Sequence, residues 1–214
     1  MAPYALLRSA RLIFWDFDGV IKDSNDVKTD AFVKLFNSFG EDVVARIRAH
    51  TKLNGGMSRF IKIPLYLSWV GLEATPERVQ KYCESFSNTV VQAVINSPWI
   101  PGILDYLNSY RDKQAFILVT ATPQAEIEHI LSALHIKDLF LEIHGAPKEK
   151  FQIISDSLVK HKFLPRETLM IGDSLCDLRA AELNAVPFVL RWNQTNRQLL
   201  KGFTGLTWND EDYE

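Results

Sequence analysis

The chain has 214 residues, enough for one large domain or for a core carrying a smaller insert. Hydrophobic residues make up 47% and charged residues 23%, the balance of a chain that buries a core, which excludes disordered, collagen-like and low-complexity classes. Twenty-four Lys and Arg against 26 Asp and Glu give a formal net charge of −2, so no global field draws the protein to nucleic acid or to an anionic membrane, and any attraction for an anion is local. The two cysteines, Cys83 and Cys176, form no CxxC pattern, which points away from a disulfide framework or a thiolate metal site and suits a reducing compartment. The first 15 residues hold only short apolar runs broken by Arg8 and Arg11, too interrupted for a signal sequence and too short to span a bilayer. A cytoplasmic location is expected, with the acidic stretch Asn209–Glu214 as a solvated tail.

Taken in chain order, Leu12–Trp15 is an apolar run without alternation, as suits a strand buried on both faces of a parallel sheet. Residues 23–98 then carry helix-like periodicity at Ala31–Phe39, Val43–Ala49, Ser58–Val70 and Pro76–Ile95 without a convincing strand. Thr75-Pro76 has the form of an N-cap followed by proline at the first helical position, and Ser97–Gly102 that of a return linker. Beyond it, apolar runs at Ala115–Val119, Leu169–Ile171 and Val186–Leu190, the last interrupted by Pro187, are joined by a weaker one at Leu139–Ile143. They alternate with helical patterns at Ile103–Tyr110, Pro123–Leu134, Lys148–Lys160 and Leu175–Leu183, as βαβ units require. The expected fold is a doubly wound, Rossmann-like α/β parallel sheet: residues 1–22 and 99–214 form the core, and 23–98 a helical cap inserted after the first strand. No internal repeat is visible.

The first strand ends in Asp16-Phe17-Asp18-Gly19-Val20, which sets two carboxylates on one face of an extended segment. Carboxylates that close repel unless a hard divalent cation such as Mg²⁺ joins them, which leaves one ionised as a nucleophile while its neighbour handles protons. A solvated strand end with turn-forming residues would carry the same string. A second constellation, Gly172-Asp173-Ser174-Leu175-Cys176-Asp177, again follows an apolar run. Asp173, at the strand end, is the better metal ligand, whereas Asp177 could instead serve the first helical turn electrostatically. Between these, Thr122 directly precedes Pro123 and is expected to cap the helix that Pro123 opens. That leaves Thr120 free to bind; its hydroxyl and neighbouring backbone N–H groups such as that of Ala121 would cradle a phosphate, while the alternative for a strand-end threonine is to satisfy a nearby backbone group. Lys148 and Lys150 crowd the first turn of the next helix against its dipole, a conflict that an anion would remove.

These strings, in this order, resemble the motifs of the haloacid dehalogenase superfamily, in its branch of capped phosphatases and phosphomutases. Asp16-Phe17-Asp18-Gly19-Val20 resembles the first motif, Thr120 the second, the lysine of Gly145–Lys150 the third and Gly172–Asp177 the fourth, so the likeness spans nearly the whole chain. The resemblance implies that Asp16 attacks phosphorus, that Asp18 protonates the leaving oxygen and then activates water, and that Mg²⁺ is held by Asp16, the backbone carbonyl of Asp18, and Asp173. It gives Asp177 an orienting or water-mediated contact to that set, and gives Thr120 and the lysine the neutralisation of the phosphoryl group. The spacing Gly145-x-Pro147-x-x-Lys150 resembles one form of the third motif and favours Lys150 over Lys148.

The family's dehalogenases and phosphonatases lack an aspartate at the position of Asp18, so the likeness implies a phosphatase or a phosphomutase, and hydrolysis of a small phosphorylated metabolite, the commoner activity of this branch, is expected. Alternatives are a phosphomutase acting on a sugar phosphate, and a catalytically silent binding or regulatory protein. A nicotinamide-binding protein is disfavoured because no G-x-G-x-x-G follows a strand. Leu53–Arg59 has the form of an Asn-Gly turn with Ser58 capping the next helix; in phosphoglucomutase-like members a similar loop carries a Ser-Arg whose arginine reaches the substrate's far group. Arg59 is therefore the expected contact to substrate, with Lys52 and Lys62 as further candidates. His50 and His144 are expected as surface or packing residues, and Met57, Trp69, Phe32 and Phe36 as cap core.

Overall fold

The computed structural model describes residues 3–193, 196 and 202–208, with side chains from Leu6 onward; Asn209–Glu214 lies outside the described residues. Among the described residues six strands, β1 (Leu12–Trp15), β2 (Ala115–Pro123), β3 (Glu142–Ala146), β4 (Thr168–Gly172), β5 (Phe188–Arg191) and β6 (Leu206–Trp208), form one sheet in the order β3-β2-β1-β4-β5-β6. Every neighbouring pair runs parallel. The central β1 places Leu12 between Ala115 and Thr168, and Trp15 between Leu118 and Ile171.

Successive side chains of a strand point to opposite faces, and both faces of this sheet are covered. Ile13, Trp15, Phe116, Leu118, Leu169 and Ile171 pack into one apolar cluster. Leu12, Phe14, Ile117, Val119 and Met170 pack into another, which is why these strands read as unbroken apolar runs. The helices are α1 (Pro3–Ser9), α2 (Asn25–Phe36), α3 (Glu41–Leu53), α4 (Arg59–Trp69), α5 (Pro76–Asn96), α6 (Ile103–Tyr110), α7 (Gln124–Ala133), α8 (Lys150–His161) and α9 (Leu175–Leu183). Ile153 and Ile154 of α8 with Ala180 and Ala181 of α9 join the second cluster, while α6 and α7 supply Ile103, Leu107, Ile127 and Ile130 to the first.

Helices α2 to α5 lie between β1 and β2. Phe32, Phe36, Tyr66 and Phe86 fill their centre, with the Phe32 and Phe86 rings 4.2 Å apart. Thr75 caps α5 by accepting a hydrogen bond from the Arg78 N–H at 3.3 Å, with Pro76 at the first helical position. The segments leading into and out of these helices run side by side: Lys22 and Trp99 form an antiparallel bridge. Asp23 N–H donates to the Pro98 carbonyl at 2.9 Å and Ile100 N–H to that of Ile21 at 3.0 Å. The buried Lys22 ammonium donates to the Ile95 carbonyl at 3.1 Å and sits 4.4 Å from the centre of the Trp99 ring.

The differences from the sequence expectation are local. α2 begins at Asn25, six residues before the apolar pattern that starts at Ala31. The weak strand expected at Leu139–Ile143 is shifted to Glu142–Ala146, because Lys137–Leu139 forms a 3-10 turn. β5 starts after Pro187, which has no N–H to offer the ladder but whose carbonyl accepts from Met170 N–H at 2.9 Å. β6, three residues long, and α1 carry too little pattern to be read from sequence.

Candidate active site

The C-terminal ends of parallel strands open onto a common crevice, and here β1, β2 and β4 deliver Asp16, Thr120 and Asp173 to it. Helices α2 and α4 with the loop after α3 close over these residues to leave a cleft of about 940 Å³, including its open mouth. Gly56 of that loop approaches so closely that a Cβ there would lie 2.3 Å from the Ser174 hydroxyl.

Asp16, Asp173 and Asp177 are all buried and each places a carboxylate oxygen within 4.8 Å of the other two. Lys150, at the first position of α8, reaches Asp16 Oδ1 at 2.8 Å and Asp177 Oδ1 at 2.6 Å. Asp173 Oδ2 accepts from the side-chain amides of Asn25 at 2.6 Å and Asn193 at 3.1 Å, and its backbone carbonyl from that of Asn196 at 2.8 Å. Gly19, with φ +75°, passes so close that a Cβ there would lie 2.1 Å from Asp173 Oδ2; only glycine combines that backbone with that approach. Burial, followed by the charge of Asp177, pushes Asp16 well above the ordinary carboxylate range despite Lys150, and burial with the same neighbour raises Asp173. The Lys150 ammonium is raised: burial opposes its charge, but Asp16 and Asp177 outweigh burial. Three buried carboxyl groups thus share one ammonium, and ionising all of them would leave more negative charge than the cluster's own residues offset. Oxygen donors with excess negative charge fit a hard divalent cation.

Asp18 lies apart from that cluster and makes different bonds. Its Oδ1 accepts from Ser24 Oγ at 2.6 Å, and its Oδ2 from the Lys28 ammonium and from Thr122 Oγ1 at 3.3 Å. Lys28 also donates to Thr122 Oγ1 at 2.7 Å. Burial would raise Asp18, but the Lys28 charge and the Lys28 and Ser24 hydrogen bonds overcome it and hold the carboxyl below its usual value. Thr120, buried beside them, accepts from Thr122 N–H at 3.2 Å, which leaves its hydroxyl proton available to the cleft that it and Ala121 line.

Several expected placements change. Thr122 caps nothing: Pro123 takes the N-cap position of α7 without a side-chain bond, because β2 runs on through Thr122 and turns its hydroxyl toward Asp18. Lys148 precedes α8 and pairs with Asp156 at 2.7 Å on the surface, so only Lys150 enters the carboxylate cluster. Asp177 serves the helix and the cluster together: it completes a capping box with Ser174, accepting from Ser174 N–H at 3.1 Å and Oγ at 2.6 Å, while its other oxygen meets Lys150.

Ser58 caps α4 as its position suggests. Arg59 lines the cleft, and three of its five N–H donors are taken. Nη2 lies 2.5 Å from Glu126 Oε1, and Nη1 lies 2.9 Å from Glu126 Oε2 and 2.7 Å from Ser87 Oγ. The expected substrate contact of Arg59 thus keeps its place in the cleft lining, with its guanidinium paired to a carboxylate from α7. Met57 and Phe32 also line the cleft instead of serving the helical core alone, whereas His50 bonds to Tyr66 and His144 to Glu142. Asn25, Lys28, Asn193 and Asn196 are not among the residues that the sequence motifs single out; only an early start of α2 could signal the first two.

Residues 13–190 match the family described as haloacid dehalogenase-like hydrolase. A curated 2-hydroxy-3-keto-5-methylthiopentenyl-1-phosphate phosphatase from Microcystis aeruginosa is 23% identical over 187 residues, 80% of each chain. Among solved structures, CbbY from Rhodobacter sphaeroides in complex with xylulose-(1,5)bisphosphate superposes with a TM-score of 0.77 at 18% identity, covering 96% of each chain. β-Phosphoglucomutase from Clostridium difficile gives 0.74 at 23% identity, covering 93% of this chain and 90% of that one. Among the described residues no helix is long and apolar enough to cross a membrane.

Proposed function

Because the chain belongs to the haloacid dehalogenase-like hydrolase family, we propose that it is a phosphatase that hydrolyses a phosphate monoester of a small metabolite with Mg²⁺, by way of an aspartyl phosphate on Asp16. The observation that carries this reading is the segregation of the two motif carboxylates: Asp16 sits in the electron-rich cluster with Lys150, whereas Asp18 faces Lys28, Ser24 and Thr122. One is set to attack and the other to move protons. The likeness to a phosphatase and to a β-phosphoglucomutase agrees with a phosphorylated organic substrate.

Mg²⁺ would be held by the carboxylates of Asp16 and Asp173 with the backbone carbonyl of Asp18, where it would neutralise the cluster and polarise a phosphoryl oxygen. Asn25 and Asn193 fix the Asp173 carboxylate by donating amide N–H groups to it, which orients the oxygen without adding charge of either sign.

Asp16 Oδ attacks phosphorus and the bond to the ester oxygen breaks, with that oxygen taking the proton of Asp18. An incoming phosphoryl anion beside Asp18 offsets Lys28 and lets Asp18 hold that proton as substrate binds. Asp18, now a carboxylate, removes a proton from water, which attacks the phosphoryl group and returns Asp16 with release of phosphate. Lys150, the Thr120 hydroxyl and the Ala121 N–H stabilise the charge that develops on the phosphoryl oxygens.

The test is phosphate release from p-nitrophenyl phosphate with Mg²⁺ and with excess EDTA, joined to peptide mapping of acid-quenched protein after turnover of a ³²P-labelled ester. Activity that requires Mg²⁺ and label on Asp16 are expected. Turnover in excess chelator refutes the metal, and label on another residue refutes the nucleophile.

A further inference from the structure

Lys62 lies one turn along α4 from Ser58, on the same helix face as Arg59. Its side chain is buried, with the residue 2% exposed, and it lines the cleft together with Asp18 and Lys28. The other cations lining the cleft are matched: Arg59 by Glu126, Lys150 by Asp16 and Asp177, Lys28 by Asp18, and the exposed Lys52 by Asp26 at 3.9 Å. The Lys62 ammonium has no hydrogen-bond or ion-pair partner among the described residues; its contact is the face of Phe32, 5.3 Å from the ring centre.

That arrangement is costly in the ligand-free protein. A largely buried ammonium that meets only the face of a ring loses most of its hydration and gains little in return, and the first turn of a helix, which here holds no acid, is the wrong end of the dipole for a cation. Burial, and then the neighbouring Lys28 ammonium, pull Lys62 down to about 7, against the smaller upward pull of Cys176 and Asp18. An anion placed between Lys62 and the start of α4 would relieve every one of these costs. In the phosphatase reading the transferred phosphoryl group is the anion met by Asp16, Thr120 and Lys150, so the anion that Lys62 would meet in the same cleft is a second one.

We propose that Lys62 recognises a second anionic group, a carboxylate or a phosphate, on the leaving-group side of the substrate. The inference rests on the phosphatase reading and narrows its substrate to esters with two anionic ends. It also moves the recognition role from Arg59, whose guanidinium is held by Glu126, to the residue one turn further along the same helix.

Two matched pairs of esters test it. Glycerol 3-phosphate and 3-phosphoglycerate differ by a hydroxyl against a carboxylate; fructose 6-phosphate and fructose 1,6-bisphosphate differ by a hydroxyl against a phosphate. Within at least one pair the wild-type protein should favour the anionic member by about tenfold or more in kcat/KM, and Lys62→Met should erase most of that ratio. The pair that shows the preference identifies the carboxylate or the phosphate. A merely structural role would lower both members together and leave the ratio intact, and such a result, or the absence of a preference in the wild type, overturns the proposal. If no ester releases phosphate, the phosphatase reading has failed, and calorimetric binding of the same pairs still decides the role of Lys62. Preferential binding of an anionic member that Lys62→Met abolishes upholds it, and equal binding overturns it.

Discussion

Glu126→Leu should destabilise this protein more than most single changes. The Arg59–Glu126 pair joins α4 to α7 with two nitrogen–oxygen contacts, at 2.9 Å and 2.5 Å, and the side chains are 4% and 7% exposed. Charge centres about 4 Å apart at an effective dielectric of about 20 attract by about 4 kcal/mol. Removing one member of a buried pair also strands the other, and costs about 3–5 kcal/mol. In a chain of this size each kcal/mol moves the melting temperature by about 2–4 °C, so Glu126→Leu should lower Tm by about 6–20 °C. Ser87, which bonds to both partners at 2.7 Å, leaves the guanidinium one acceptor and sets the loss toward the lower end. The double variant Arg59→Met with Glu126→Leu replaces the pair by apolar side chains and should recover most of the loss. Calorimetric melts of the wild type, both single variants and the double variant complete the cycle. A fall of less than about 2 °C for Glu126→Leu, or a double variant no more stable than that single one, would refute the reasoning.

Lys150→Ala should lower kcat by about 10²–10³-fold, the loss of one preorganised donor to the transition state, whereas Lys148→Ala, which removes only a surface pair with Asp156, should stay within about twofold; the reverse order in steady-state kinetics would place the wrong lysine in the site. Burial opposes the charge of Glu142, but its bonds from Lys160, His144 and His161 outweigh burial and hold its carboxyl down at about 2 instead of 4.5. A depressed folded-state value stabilises the protein above the unfolded value and loses that contribution as pH falls from about 4.5 through about 2, so acid titration of stability should show a shallower limb in Glu142→Gln than in the wild type, and parallel limbs would contradict the linkage.

The parts of this molecule that can be read from its sequence are those where local pattern and tertiary environment agree. Leu12–Trp15 is apolar at every position because both faces of the sheet are covered, and the bounds of α6 and α9 follow from a periodicity that a single packed face maintains. The start of α2 cannot be read that way. Asn25 and Lys28 turn toward Asp173 and Asp18, not toward an apolar core, so the stretch that builds the site carries no hydrophobic signal. Thr122 misleads because Thr-Pro is a helix-start string, and only the length of β2 shows that the strand has not yet ended. Arg59 stands out by its loop, but Glu126 lies 67 residues away, and no spacing rule reveals a pair closed by tertiary structure.

The antiparallel bridge between Lys22 and Trp99 has a consequence for how such a protein can change. Residues paired across an antiparallel ladder lie about 5 Å apart, so the helices between them leave and rejoin the sheet at nearly one point. Everything from Asp23 to Pro98 is, to the sheet, a loop with coincident ends, and its replacement by a helical segment of another length or lining would disturb no strand register. Ser24, Asn25 and Lys28 at the start of that loop bond to Asp18 and Asp173 and belong with the ends of β1, β2 and β4, whereas the lining that α4 gives the cleft can diverge from them at its own rate, with the Lys22–Trp99 bridge as the joint that any replacement has to preserve.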